Sequence, residues 1–217
     1  KEVHQIIKDR RVTINGSITT KKDTHIDIDV DIVAVDGKVV STTQLYYVKF
    51  HKPKGYVTSV EDSNHPVVMD LLPPEFIKMG VVPVGRLDKD TEGLLLLTND
   101  GVWGHSIING NKHVPKIYYV EFEGTLSDEG IQRIKKGILL GDGTQCKPAE
   151  IESVSLHSVH VTIEEGKYHQ VKRMIGAAGG TVTYLKRLTI GHIDLSGIEE
   201  VGSAMELTVE QIEGFKK

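Results

Sequence analysis

The sequence predicts an α+β fold, in which many short strands are combined with a few helices that do not alternate with them. Seven runs of β-branched, aromatic and apolar residues follow residue 44, and four helix-like segments are distributed among them. Regular alternation of strands and helices would instead have indicated βαβ units and a parallel sheet. Hydrophobic residues make up 39% of the 217 and charged residues 26%, which is ordinary for a globular protein with its own core.

The first forty residues predict the end of a helix followed by strands. Apolar residues at positions 3, 6 and 7 lie on one side of a helix that ends within the first dozen residues. Asn15-Gly16, between two β-prone runs, is the strongest short signal for a hairpin. Apolar and acidic residues alternate from His25 to Val35, which predicts a strand with its apolar side inward. The acidic run lacks the Gly and the closing Glu of a calcium-binding loop.

The later elements follow from periodicity and from helix-end signals. Ser127 is placed to cap one helix and Gly137 lies just past its end, while Thr208 caps the last helix. The polar segment Ser41–Gln44 is expected to connect two domains. Strands are predicted at Leu45–Phe50, Leu94–Thr98, Ile117–Phe122, Ala149–Val154, Val159–Glu164, Thr181–Leu185 and Leu188–Ile190, and helices at Asp100–Ile108, Ser127–Lys136, His169–Ala178 and Val209–Phe215.

The charge distribution is informative although the net charge is only −4. Six Lys and Arg occur between Lys1 and Lys22, and five more occur without any acid between Gly166 and His192. Such segments suit either a phosphate backbone or solvated faces, and charge alone leaves both open. Cys146 is the single cysteine, which excludes an internal disulfide and a cysteine-based zinc site and favours a cytoplasmic location. We expect no membrane span and no signal peptide, and we expect part of the N-terminus to be missing.

The densest cluster of polar side chains occurs in Val81–Gly101, whose sequence is VVPVGRLDKDTEGLLLLTNDG. Asp88 follows an apolar run, lies two residues after Arg86 and is followed by a second carboxylate at Asp90. A carboxylate in this position could be a nucleophile or a general base. From spacing alone, a turn stabilised by the Asp side chain is the simpler interpretation.

The same segment resembles the signature GRLDxxTxGLLLLTNDG of the pseudouridine synthases that modify bacterial ribosomal RNA. The resemblance implies that Asp88 is the catalytic aspartate. Lys52-Pro53-Lys54-Gly55-Tyr56 is similar to the family's KPxG element, and Pro115-Lys116-Ile117-Tyr118 to its KxY element, whose tyrosine lies under the target base. Strand periodicity agrees with Tyr118, since it shares a face with Val120 and Phe122, whereas Tyr119 shares one with two glutamates.

EGKYHQVKRM, from Glu165 to Met174, is similar to the family's EGRxxQVRRM stretch. The resemblance implies that Lys172 pairs with Asp88, although Arg is common at that position in related synthases. A basic helix face near phosphate is the alternative. The predicted catalytic residues are therefore Asp88, Tyr118 and Lys172, and the predicted RNA-binding residues are Arg86, Lys52, Lys54, Lys8, Arg10, Arg11, Lys167, His169, Arg173 and Arg187.

The N-terminal segment resembles part of an S4 domain, a small RNA-binding fold. We therefore expect an incomplete S4-like domain over residues 1–42 and a catalytic domain with a mixed, mainly antiparallel sheet flanked by helices over residues 43–217. Tyr168, Trp103 and His105 favour the family members that act on 16S RNA of the small subunit. The resemblance implies ribosomal RNA, within an assembling small subunit, as the partner, and a monomer that needs no cofactor and no metal.

Three other functions are compatible with part of the sequence. A synthase that acts on 23S RNA would carry the same motifs, and a non-catalytic ribosome-assembly factor would use the same basic segments. A glycoside hydrolase could use Asp88 and Asp90, but only their proximity favours it. Within the synthase hypothesis, the sequence leaves open whether Asp88 attacks C1′, attacks C6 or promotes a glycal intermediate.

Overall fold

The computed structural model describes residues 2–27, 30–40, 44–109 and 112–215. The chain forms two compact units, Lys1–Leu45 and Tyr46–Lys217. Within the described residues, none of the helices combines the length and the apolar composition needed to cross a membrane.

The N-terminal unit contains one short helix and a four-stranded antiparallel sheet. Its elements are α1 (Glu2–Lys8), β1 (Val12–Ile14), β2 (Ser17–Ile18), β3 (Val33–Val35) and β4 (Lys38–Val40), with sheet order β2-β1-β3-β4. Asn15 and Gly16 have φ angles of 51° and 80°, the left-handed conformations that a two-residue hairpin turn requires. The predicted hairpin and the initial helix are therefore confirmed.

The strand predicted from His25 to Val35 is wrong for most of its described length. Only Val33–Val35 is a strand, and Ile28 and Asp29 lie outside the described residues. Asp31 explains the difference, because its carboxylate accepts hydrogen bonds from the Asp27 amide at 2.9 Å and from Asn15 Nδ2 at 2.7 Å. Such local side-chain bonds compete with the ladder of a sheet. The apolar side chains of Ile26, Val30 and Ile32 are exposed, not turned inward, whereas Ala34 is buried.

The larger unit is built around one mixed sheet with the order β12-β5-β7-β11-β8-β10-β9, with β6 added beside β7. Its pairs are antiparallel except for β7 and β11, which run parallel. Its strands are β5 (Tyr47–Lys52), β6 (Val82–Pro83), β7 (Glu92–Thr98), β8 (Lys116–Gly124), β9 (Glu150–Ser155), β10 (Ser158–Ile163), β11 (Gly180–Ile190) and β12 (Ala204–Glu206).

Helices cover parts of this sheet, which confirms the predicted α+β class. They are α2 (Pro74–Lys78), α3 (Gly101–Ile108), α4 (Asp128–Lys136), α5 (Gln170–Ala177) and α6 (Val209–Glu213), with a 3₁₀ turn at Val68–Leu71. The predicted caps are present: Ser127 accepts from Gly130 N and Thr208 from Gln211 N. Sequence reasoning missed β6, β12 and α2, and it divided β11 into two strands.

Strand β7 lies at the centre of the unit, and its position explains the run of four leucines. Leu94, Leu95, Leu96 and Leu97 are all fully buried. Because successive side chains of a strand point to opposite faces, the first and third join one apolar cluster and the second and fourth another. Burial of each leucine stabilises the fold by about 2 kcal/mol. The strand is thus a rigid base for the loop that precedes it.

Candidate functional site

A cavity of about 390 Å³ opens in the larger unit, between the loop before β7, strand β8 and the start of α5. That volume is within the range of small-molecule sites. Asp88 and Tyr118 both line it, and apolar side chains such as Val171 and Ile190 form part of its wall. The cavity therefore combines a carboxylate, an aromatic ring and an apolar lining.

The loop that carries Asp88 is held in place by a buried lysine. Lys52 Nζ donates to the carbonyl oxygens of Pro53 at 3.0 Å, Asp88 at 3.0 Å and Thr91 at 2.9 Å. Thr58 Oγ1 secures the preceding residue, because it donates to Leu87 O at 2.6 Å. Burial lowers the pKa of Lys52 to about 8, despite the opposing effect of the nearby acids.

The prediction that Lys52 binds RNA is wrong. Its side chain is fully buried, and its donors are directed to carbonyl oxygens of the chain itself. A turn is also present here, since Thr91 N donates to Asp88 O at 3.1 Å. The turn and the carboxylate site are therefore two aspects of one loop, in which the backbone of Asp88 is fixed and its side chain is left for the cavity.

A lysine, Lys172, and a histidine, His169, lie beside the Asp88 carboxylate. Lys172 Nζ lies 3.3 Å from Oδ2 and His169 Nε2 lies 3.6 Å from Oδ1. His169 immediately precedes α5 and Lys172 lies in its first turn, where it is only 21% exposed. The structure thus brings together the pair, Asp88 and Lys172, that the sequence motifs implied.

Asp90 is a second carboxylate on Lys172 that the site prediction omitted. Its Oδ1 lies 2.5 Å from Lys172 Nζ, closer than Asp88 does. Burial by itself raises the pKa of Asp90, but the hydrogen bond and charge of Lys172 outweigh it, so the pKa lies below its ordinary value. Lys172 is therefore shared between two carboxylates, and this arrangement fixes its ammonium group beside Asp88.

Tyr118 projects from β8 into the cavity and is buried, as are Val120 and Phe122 on the same face. Its hydroxyl accepts from Arg187 Nη1 at 3.4 Å, while Arg187 Nε donates to Leu94 O at 2.7 Å. Arg187 is only 3% exposed. It lines the cavity beside the Tyr118 hydroxyl and is not exposed on the surface, so its role in RNA binding stays a prediction that concerns only a nucleotide inside the cavity.

Lys116 is a further cavity residue that was quoted in a motif but not assigned to the site. It lies two residues before Tyr118 on β8 and therefore on the same face. Its pKa is lowered to about 8 by burial and, secondarily, by the charge of Arg187. Period-two spacing from Tyr118 could have identified it from the sequence.

The other predicted RNA contacts are distributed over both units. Arg86 is exposed at the cavity wall, and Lys54 is exposed with its Nζ 4.2 Å from the centre of the Tyr184 ring. Lys167 lines the cavity, whereas Arg173 is paired with Asp142. In the N-terminal unit, Lys8, Arg10 and Arg11 are exposed, and Arg11 pairs with Asp36.

Comparison with known proteins gives a consistent result. Residues 46–177 match the family model of RNA pseudouridylate synthase. The chain is 41% identical over 216 residues to the uncharacterized RNA pseudouridine synthase YtzG of Bacillus subtilis, a match that covers 98% of this chain and 90% of YtzG. It is 38% identical over 208 residues to ribosomal small subunit pseudouridine synthase A of Escherichia coli, covering 95% and 89% of the two chains.

A solved structure described as a pseudouridylate synthase superimposes on this fold with a TM-score of 0.73 and 32% sequence identity. The match covers 99% of this chain and 92% of the other. Sequence and fold comparisons therefore agree over nearly the whole length.

Proposed function

This chain belongs to the family of RNA pseudouridine synthases, and we propose that it isomerises one uridine of 16S ribosomal RNA with Asp88 as its essential carboxylate. The enzyme class follows from the family and its named relatives. The choice of 16S RNA as substrate, the catalytic role of Asp88 and the roles of its neighbouring residues are what we propose.

One observation carries the proposal: Asp88 and Tyr118 line one cavity, and Lys172 contacts the Asp88 carboxylate. Lys172 stabilises the ionised form of Asp88 through a separation of 3.3 Å. Tyr118 offers its ring to a base that enters between the loop before β7 and strand β8. These are the groups needed to hold a uracil against a carboxylate in a site that is partly closed to water.

The overall reaction places few demands on the protein beyond these groups. The C1′–N1 bond of uridine breaks, the uracil turns, and a C1′–C5 bond forms. The proton on C5 is lost and N1 gains one, so the product is an isomer and no oxidant or reductant is consumed. Whether Asp88 attacks C1′, attacks C6 or promotes a glycal, the ionised carboxylate is the reactive form, and Lys172 maintains it. Tyr118 stacks on the base and assists removal of the C5 proton.

The target uridine must leave its stack to reach the cavity, which costs a few kcal/mol. Contacts with phosphates offset that cost. Such contacts are proposed for Arg86, Lys167 and His169, which line the cavity, and for Lys54, which is exposed, and Arg86 can also occupy the space that the base leaves.

The choice of the small subunit is supported by the names of the relatives, which include ribosomal small subunit pseudouridine synthase A of E. coli. The N-terminal unit, with Lys8, Arg10 and Arg11 exposed, is proposed as an S4-like module that adds affinity for RNA. We further propose that the enzyme acts as a monomer in the cytoplasm on an assembling subunit.

The test is tritium release from 16S RNA labelled with 5-³H-uridine, free and in partly assembled small subunits, with Asp88→Asn alongside. Stoichiometric release that disappears in the variant is expected. Release from 23S RNA alone would overturn the choice of subunit. Ordinary turnover by Asp88→Asn would refute the role of the aspartate, and RNA binding without release from either RNA would favour an assembly factor.

A further inference from the structure

We propose that Tyr168 and His169 form an aromatic platform that binds an unpaired nucleobase next to the target uridine. This inference rests on the proposed action on RNA, but it concerns a separate subsite at the mouth of the cavity that receives the uracil. The residues proposed to act in catalysis, Asp88, Tyr118 and Lys172, do not form this platform.

The two rings are stacked on each other at the mouth of the cavity. Their centres are 3.9 Å apart and their planes differ by 18°. Both residues line the cavity, yet Tyr168 is 71% exposed. Because one face of the tyrosine ring is covered by His169, its opposite face is the large aromatic surface that remains for a ligand.

The platform is held rigidly by the chain around it. His169 has a φ of 48° immediately before α5, a left-handed conformation that non-glycine residues seldom adopt. Arg173 Nη1 donates to Tyr168 O at 3.2 Å. Gln170 closes the preceding loop, because its Oε1 accepts from Lys167 N at 2.9 Å. A preorganised ring loses little freedom when a base stacks on it.

A nucleobase is the ligand that fits this position. His169 Nε2 lies 3.6 Å from Asp88 Oδ1, so the platform directly adjoins the carboxylate that the target nucleotide must reach. When that nucleotide leaves its stack, the neighbouring base loses a stacking partner, and an exposed aromatic ring replaces it. Stacking on aromatic side chains is tolerant of base identity, because every base has a π-face.

A single exposed tyrosine is by itself unremarkable on a protein surface. Two features distinguish this one: it is stacked on a second ring, and it borders the cavity that contains Asp88. If Tyr168 were only a surface residue, its replacement would leave RNA binding unchanged.

The first test is kinetic, with the same labelled 16S RNA. Tyr168→Leu removes the ring but keeps an apolar side chain, and it is expected to raise KM about 5- to 30-fold, the lower part of the range for stacking on one base. Tyr168→Phe is the matched control and should retain the KM of the wild type, because stacking does not need the hydroxyl. Unchanged KM in Tyr168→Leu, or equal losses in both variants, would overturn the platform.

The second test detects the base directly and does not depend on turnover. In an Asp88→Asn background, Tyr168→Trp introduces a fluorophore at the platform, while the native Trp103 is buried and gives a constant background. Octauridylate should quench the new emission, and an abasic ribose-phosphate oligomer of the same length should not. Leu156→Trp is the matched control, because position 156 is 85% exposed in the β9–β10 turn, at the opposite end of β10 from the cavity.

Equal quenching by both oligomers would show a backbone contact and refute base stacking. The outcomes also separate this inference from the proposed function. Base-dependent quenching without tritium release by the wild type would refute the catalytic proposal alone. Release by the wild type, with neither base-dependent quenching nor a change of KM in Tyr168→Leu, would refute the platform alone.

Discussion

Replacement of Lys52 by methionine separates a positioning role from RNA binding. Lys52 is buried, and three of its hydrogen bonds hold the backbone of the loop that carries Asp88, at 3.0 Å to Asp88 O, 3.4 Å to Lys89 O and 2.9 Å to Thr91 O. Methionine replaces the aliphatic part of the side chain but lacks the ammonium group and donates no hydrogen bond. The expected result is a loosened loop, and therefore a less stable protein that also turns over more slowly.

The size of the stability change follows from two opposing contributions. Three hydrogen bonds from a charged donor stabilise the fold by about 6 kcal/mol in total. Burial of the ammonium group acts against this: it lowers the pKa from 10.5 to about 8, which corresponds to about 3 kcal/mol. The expected net loss for Lys52→Met at pH 7 is therefore about 3 kcal/mol of unfolding free energy.

Denaturant unfolding measures the stability change, and single-turnover tritium release with an RNA-binding assay measures the function. Lys52→Met should reduce the rate at least about tenfold, because small displacements of a reacting group are costly, and it should leave the Kd for RNA within about twofold. Lys54→Met is the matched control. Lys54 is exposed, so its replacement should weaken RNA binding and leave stability almost unchanged. A loss of affinity alone in Lys52→Met would refute the reasoning.

Three further predictions follow from the same contacts. Lys172→Met should lower turnover sharply and leave RNA affinity nearly intact, whereas a change in affinity alone would make Lys172 a phosphate contact. Between pH 8 and 10.5 the unfolded chain binds a proton at Lys52 that the folded chain has released. The unfolding free energy of the wild type should therefore rise relative to that of Lys52→Met by up to about 3 kcal/mol across this range. Denaturant titrations in which the difference between the two proteins stayed constant or narrowed would contradict this prediction. Gly93→Ala should destabilise the fold by about 3 kcal/mol or more. The φ of Gly93 is 117°, and a Cβ at this position would lie 2.2 Å from Arg187 O. An unchanged denaturation midpoint would show that β7 and β11 can separate.

Local rules were sufficient for much of this protein. The hairpin at Asn15-Gly16 and the caps at Ser127 and Thr208 depend on backbone conformation and on hydrogen bonds between residues a few positions apart, which the sequence specifies directly. Period-two spacing placed Tyr118 on the buried face of its strand. The resemblance to the synthase family pointed to Asp88 and Lys172. Their side chains lie together although 84 positions separate them in the sequence.

The residues that sequence reasoning misjudged are those whose environment depends on distant strands. Lys52 and Arg187 were predicted to bind RNA, and their burial was not foreseen. In the structure Lys52 donates to residues up to 39 positions away, and Arg187 donates to Leu94 across the parallel pair of β7 and β11. The strand predicted from His25 failed for a local reason, because the hydrogen bonds of the Asp31 carboxylate outweighed the alternation of apolar residues. The sequence alone was enough to propose the catalytic groups, whereas the burial of Lys52 and Arg187 could be read only from the tertiary structure, because it depends on neighbours brought together by the sheet.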